Sequence, residues 1–145
     1  MVISAFGDIG KATIGGNVVF LVIDSGGYPG AQIGTVTVGG DWVASSIAAG
    51  VASTNGFFGD GDDTTVGGST TVVSRIASIT IKGRAFGTVG GSDHFGFVAQ
   101  EIGSLRIGGV VFPLTKGAAN DDLDANDPLL LIGSTNDMRV HEIAL

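Results

Sequence analysis

The chain contains no cysteine, which removes disulfide bridges, thiolate metal sites and cysteine nucleophiles together. Positive charge is scarce as well. Seven Lys and Arg face fourteen Asp and Glu, for a formal net charge of −7. Nothing in the sequence forms the basic stripe that phosphate neutralisation needs, so no nucleic-acid partner is expected. No apolar run is long enough to span a bilayer as a helix. Histidine occurs only at His94 and His141, and the G-x-S-x-G, P-loop and H-E-x-x-H phrases are all missing. The opening stretch, residues 1–11, lacks a basic segment followed by a sustained apolar one and is no signal peptide. If the protein is exported, its signal lies upstream, and residues 1–145 are then one domain at the C-terminal end of a longer protein.

What is present points to strands. Hydrophobic residues make up 43% of the chain, and 26 of its 145 residues are glycine. The periodic apolar positions are held by Val, Ile and Thr, whose branched side chains suit a pleated surface and are stiff in helices. Glycine without a G-X-Y period, alternating with apolar runs, is the mark of many short strands joined by tight corners. Asp outnumbers Glu twelve to two. That bias favours turns and cation ligation over solvated helix faces, because Asp bonds its own backbone and tolerates left-handed conformations.

One phrase recurs. Ile9-Gly-Lys-Ala-Thr-Ile14-Gly-Gly, Ile33-Gly-Thr-Val-Thr-Val38-Gly-Gly, Ile76-Ala-Ser-Ile-Thr-Ile81-Lys-Gly and Ile102-Gly-Ser-Leu-Arg-Ile107-Gly-Gly align without gaps, and Met138-Arg-Val140 is a degenerate fifth copy. The starts of the four full copies are 24, 43 and 26 residues apart, so either a further coil or a long excursion fills the middle interval. A repeat of this length predicts a right-handed parallel β-helix (a solenoid) of roughly five to six coils with long acidic loops. An antiparallel sandwich also uses short strands and glycine turns, but it leaves the recurring phrase unexplained. Strand alternation predicts Ala12, Val36, Ile79 and Leu105 on an inner face with Ile14, Val38, Ile81 and Ile107. Thr13, Thr37, Thr80, Arg106 and Arg139 are then expected to stack outside. Further strands are predicted over residues 18–23, 42–47, 95–98 and 129–132.

The phrases Ile33-Gly-Thr-Val-Thr-Val-Gly-Gly-Asp41, Phe57-Phe-Gly-Asp-Gly-Asp-Asp63, Ile76-Ala-Ser-Ile-Thr-Ile-Lys-Gly83 and Asp93-His-Phe-Gly-Phe-Val-Ala-Gln100 carry a family resemblance. Together they resemble the C-terminal β-solenoid repeat region of very large surface proteins of planctomycetes and related environmental bacteria. The resemblance implies export to the cell surface, a parallel β-helix and a structural or adhesive role. It implies no assigned reaction.

The candidate chemistry lies in two acidic loops. Asp60, Asp62 and Asp63 sit among glycines, and Ca²⁺ accepts several carboxylate oxygens at loose geometry. The spacing is not that of an EF-hand, so the cluster is either a Ca²⁺ site or an acidic turn in solvent. The second loop runs from Asn120 to Asp127, and the two together hold seven of the fourteen acids. If both leave the same side they give the molecule one acidic edge, with Ca²⁺ bridging them as a further alternative. Asp93-His94 beside Arg106 resembles part of a polysaccharide lyase or hydrolase groove, against the plainer reading of a turn-edge Asp and a half-exposed His. Trp42, Tyr28, Phe57 and Phe58 are candidate sugar-stacking aromatics. The leading expectation is a non-enzymatic structural or adhesive module. The alternative is a carbohydrate-binding or carbohydrate-active β-helix with polysaccharide as partner. Two expectations concern the ends: the N-terminal coil is open and pairs with a second copy or with upstream repeats, while the C-terminal side is closed.

Overall fold

The computed structural model describes residues 1–124 and 135–145. All regular structure among them is β, and no helix occurs. The chain visits three sheets in rotation. β1 (Val2–Ser4), β2 (Ile9–Ile14) and β3 (Val18–Val19) begin one sheet each. β4 (Val22–Asp24), β5 (Gln32–Val38) and β6 (Trp42–Val43) pair parallel with them in the same order. β7 (Ser46–Ala48) then pairs with β4.

The 43-residue interval holds an excursion, and no strand is added to the repeat's sheet within it. β8 (Val51–Ala52) and β9 (Thr64–Thr65) form an antiparallel hairpin outside the three sheets. The rotation then resumes with β10 (Arg75–Ile81), β11 (Ala85–Phe86) and β12 (Phe95–Ala99). Their partners are β5, β6 and β7, so the excursion inserts no layer.

β13 (Glu101–Ile102) and β14 (Leu105–Ile107) lie parallel on β10. The C-terminal side closes differently. β15 (Val110–Phe112) turns back antiparallel on β14, and β16 (Asp122–Leu123) runs antiparallel to β17 (Met138–Glu142).

The four full repeats fall in one register. Ile33 pairs with Ile9 on one side and Ile76 on the other, and Ile76 pairs with Ile102. Val36, Ile79 and Leu105 follow Ala12, and Val38, Ile81 and Ile107 follow Ile14. All six of these followers are fully buried, while Ala12 and Ile14 on the first strand are partly buried. A second inner row joins Ile3, Ile23, Ile47, Phe97 and Val140 across the sheet that begins with β1. Like side chains stacked at strand spacing pack against one another from layer to layer, which accounts for the preference for β-branched residues.

Three expectations need correction. Met138–Val140 does not continue the repeat's row: β17 pairs with β12, so Arg139 faces Gly96 and not Arg106. The repeat's own sheet has already been closed by β15, leaving no parallel edge for a fifth copy. Residues 18–23 and 42–47 each break into two strands, because Phe20 (φ 52°) and Ala44 (φ 45°) turn a left-handed corner. Trp42 is not a surface aromatic. It is fully buried, its Nε1 donates to the Ser45 carbonyl at 2.8 Å, and its ring meets Phe97 at 5.8 Å between centroids. The strand expected over residues 129–132, and Asp127, lie outside the described residues.

Candidate metal centre and neighbouring cavity

The loop that joins β8 to β9 is fixed to the body at two points. Phe58 packs on Ala48, Val51, Val98 and Ile143, a small apolar cluster on the outer face of the β7–β12 sheet. That cover explains why β7 and β12 are buried on both faces. Next to it, Gly59 lies against the backbone of β12 with φ at 101°. A side chain there would stand 2.7 Å from the Phe95 carbonyl, so both conformation and contact require glycine.

Beyond this anchor the three predicted ligands come together. One carboxylate oxygen from each of Asp60, Asp62 and Asp63 lies within 4.8 Å of the others. Each carboxylate is also held from within the loop. Asp60 accepts from Asn55 Nδ2 at 2.7 Å and from the Asp62 N–H at 3.1 Å. Asp62 accepts from the Ser53 and Thr54 hydroxyls. Asp63 accepts the Gly59 N–H on Oδ2 at 2.6 Å, while its Oδ1 is buried without a partner.

The three acids differ in electrostatics. Burial pushes the Asp63 carboxyl up to about 6, helped by the charges of Asp60 and Asp62 against the Gly59 hydrogen bond. Burial also acts upward on Asp60, but the hydrogen bonds from Asn55 and Asp62 and the nearby His94 outweigh it. Its carboxyl therefore lies below the ordinary range. A divalent cation would relieve the repulsion that Asp63 feels and give Oδ1 the partner it lacks. With three carboxylates at hand, the donor set suits Ca²⁺, which completes its shell with water.

A cavity of about 320 Å³ opens beside the loop, lined by Asp60, His94, Asp124, Asp137 and Arg139 among others. Three carboxylates, a histidine and an arginine converge there. Two of these side chains are held in place. Arg139 forms a two-point ion pair with Asp122 that holds the Asp122 carboxyl below its ordinary value. Asp137 accepts the Thr88 N–H at 2.6 Å and the Thr135 hydroxyl. A smaller recess of about 150 Å³ adjoins it through His94 and is lined by Phe20, Phe57 and Phe95.

The remaining sequence candidates scatter. Tyr28 donates its hydroxyl to Asp8. Asp93 accepts from Thr88 Oγ1 at 2.9 Å. From the second loop, Asp121 accepts the Thr115 N–H at 2.8 Å and stays apart from the Asp60 cluster, whereas Asp124 reaches the cavity that Asp60 lines. The two acidic loops therefore do share an edge. Asp137 and Arg139 were not among the expected site residues. Both lie more than seventy residues from Asp60 in sequence, and only the order of layers brings them to it. Compared with models of protein families, with curated proteins and with solved structures, the chain matches none of them.

Proposed function

We propose that the chain is a right-handed parallel β-solenoid module with a structural or adhesive role in an exported bacterial surface protein, stiffened by Ca²⁺ at Asp60, Asp62 and Asp63. The observation that carries the reading is the rotation through three sheets with four repeats in one register. Each layer uses its neighbour as template for backbone hydrogen bonds and for the inner row, a design that builds a stiff body and suits presentation better than turnover. Localisation at the cell surface follows from the resemblance of the repeat phrases.

Calcium binding tests the stiffening directly. Millimolar Ca²⁺ should raise the melting temperature at neutral pH, by mass action on a site that exists only in the folded chain. Asp62→Asn should remove the rise. An unchanged wild-type melting temperature would return the loop to an acidic turn.

The convergence of Asp60, Asp124, Asp137, His94 and Arg139 on one cavity supports a second reading, a polysaccharide-binding β-solenoid. The aromatic recess that adjoins through His94 is where a sugar ring would stack, and Phe57 is its exposed edge. Binding of any oligosaccharide that Phe57→Ala weakens, on a glycan array or by calorimetry, would favour this reading. Absence of binding across acidic, neutral and amino sugars would discard it.

A further inference from the structure

We propose that Asn55-Gly56, in the loop between β8 and β9, is a self-modifying site. The Gly56 backbone nitrogen attacks the Asn55 side-chain amide, and the loop converts Asn55 into an acid beside Asp60. Of the five asparagines in the chain only Asn55 is followed by glycine; the others precede Val18, Asp121, Asp127 and Asp137. A side chain on the following residue shields that residue's backbone nitrogen, and Gly56 has none. Asn55 and Gly56 are both exposed. A β-carbon built on Gly56 would meet nothing within 4 Å, so its nitrogen is not hemmed in by packing. What requires glycine here is the conformation, with φ at 84°.

Ser53 stands between the two reacting groups. Its Oγ accepts the Gly56 N–H at 3.0 Å and donates to Asn55 Oδ1, also at 3.0 Å. Asp62 Oδ1 is the more distant alternative acceptor, at 3.3 Å. A hydroxyl accepts one proton while giving up its own, so Ser53 serves the nucleophile and the carbonyl oxygen together. Asn55 Oδ1 also accepts the Phe57 N–H at 2.8 Å. Two donors on Oδ1 draw electrons from Cγ and stabilise the tetrahedral carbon that forms there, as an oxyanion hole does. At the far end of the amide, Nδ2 donates to Asp60 Oδ2 at 2.7 Å. The amide is therefore held at both ends next to its attacker, which lowers the entropic part of the barrier.

The reaction consumes only water. The Gly56 nitrogen forms a bond to Asn55 Cγ as its proton passes to Ser53 Oγ and the Ser53 proton passes to Asn55 Oδ1. The hydroxyl proton of this tetrahedral carbon then moves through water to Nδ2. The Cγ–Nδ2 bond breaks, ammonia leaves, and the carbonyl re-forms in a closed succinimide ring. Water opens the ring at either carbonyl. Attack at Cγ gives aspartate on an unchanged backbone, and attack at the main-chain carbonyl gives isoaspartate, with the backbone routed through Cβ and Cγ. Either product replaces the amide that donates to Asp60 by a carboxylate. Asp60, Asp62 and Asp63 are then joined by a fourth acid, which repels them in the free loop and adds an oxygen ligand when a cation is bound. That last consequence rests on the Ca²⁺ reading of the loop; the chemistry at Asn55 does not.

Peptide mapping by mass spectrometry is the test, on the full chain at neutral pH with a chelator present. One series is kept folded and the other is unfolded in guanidinium chloride. Asn55 should show the amide-to-acid mass shift before any other asparagine, and at least about tenfold faster folded than unfolded. Ser53→Ala should bring the folded rate down to the unfolded one and leave the unfolded series unchanged. Ser53→Thr keeps the hydroxyl and should keep the rate, which separates proton transfer from a general loosening of the loop. Conversion no faster in the folded chain than in the unfolded one would overturn the proposal, and so would a folded rate indifferent to Ser53→Ala. Asn55→Asp, the aspartate product made directly, should melt lower than wild type without divalent ions and gain more from millimolar Ca²⁺. An equal gain would overturn the added ligand. A wild type that gains nothing from Ca²⁺ would sink the metal reading alone, because the mass shift is read in chelator.

Discussion

The titration of Asp63 offers a quantitative handle on the acidic loop. Its carboxyl is half-buried beside two other carboxylates, and its folded value near 6 stands well above the ordinary 3.8. That gap corresponds to about 3 kcal/mol if nothing screened it. Solvent reaches the loop, so the usable part is nearer to about 1–2 kcal/mol. The direction follows from which state holds the proton more tightly. The folded chain does, so the stabilisation is complete below the unfolded value and is lost as pH rises through about 6. Urea denaturation in the absence of divalent ions should therefore give a more stable protein at pH 5 than at pH 7. Burial also raises the Asp24 and Glu142 carboxyls, which adds to the gain, whereas burial lowers His141, which subtracts from it, and the lowered Asp60 and Asp122 turn the trend around at more acid pH. Asp63→Asn should be more stable than wild type at pH 7 and should gain about 1 kcal/mol less between pH 7 and pH 5. A change between pH 7 and pH 5 that is the same in Asp63→Asn as in the wild type would show that Asp63 is not held as described.

Other expectations test the layers themselves. Ile81→Ala removes a fully buried side chain from the row shared with Val38 and Ile107 and should cost about 2–5 kcal/mol in chemical denaturation. Thr80→Ala, one residue away on the outer row, should cost under about 0.5 kcal/mol. Gly83→Ala forces the Asp41 backbone away and should cost about 1–3 kcal/mol by the same measurement, although the site is a surface corner.

Much of the fold was legible because a stacked layer writes its geometry into the sequence several times. Ile9, Ile33, Ile76 and Ile102 share a sheet row, and the alternation after each tells inside from outside. The same logic misplaces Met138–Val140. Its alternating Met, Arg and Val satisfies a strand on any sheet of the body, and alternation alone cannot say which sheet receives it. The corners at Phe20 and Ala44 were hidden for a different reason. Left-handed backbone at a bulky or β-carbon-bearing residue runs against local preference, and the neighbouring layer imposes it: Phe20 N donates to the Val43 carbonyl and Ala44 N to Phe86.

The acidic loop divides along the same line. Asp60, Asp62 and Asp63 were readable as a cluster because four consecutive residues contain them and glycine lets the loop fold back. Their surroundings were not, since Arg139 and Asp137 reach the cavity through a strand whose sheet the alternation left undetermined. Gly59 shows how local sequence and layer order combine. It reads as one more flexible glycine in a polar loop, yet its position against Gly96 sets where the three carboxylates emerge. Replacing it would strain a backbone at φ 101° and push the loop off β12, which would separate Asp60 from His94 without touching either side chain. What places the acids beside the cavity is therefore a backbone contact between two glycines, and the chemistry of the edge depends on packing that no carboxylate reveals.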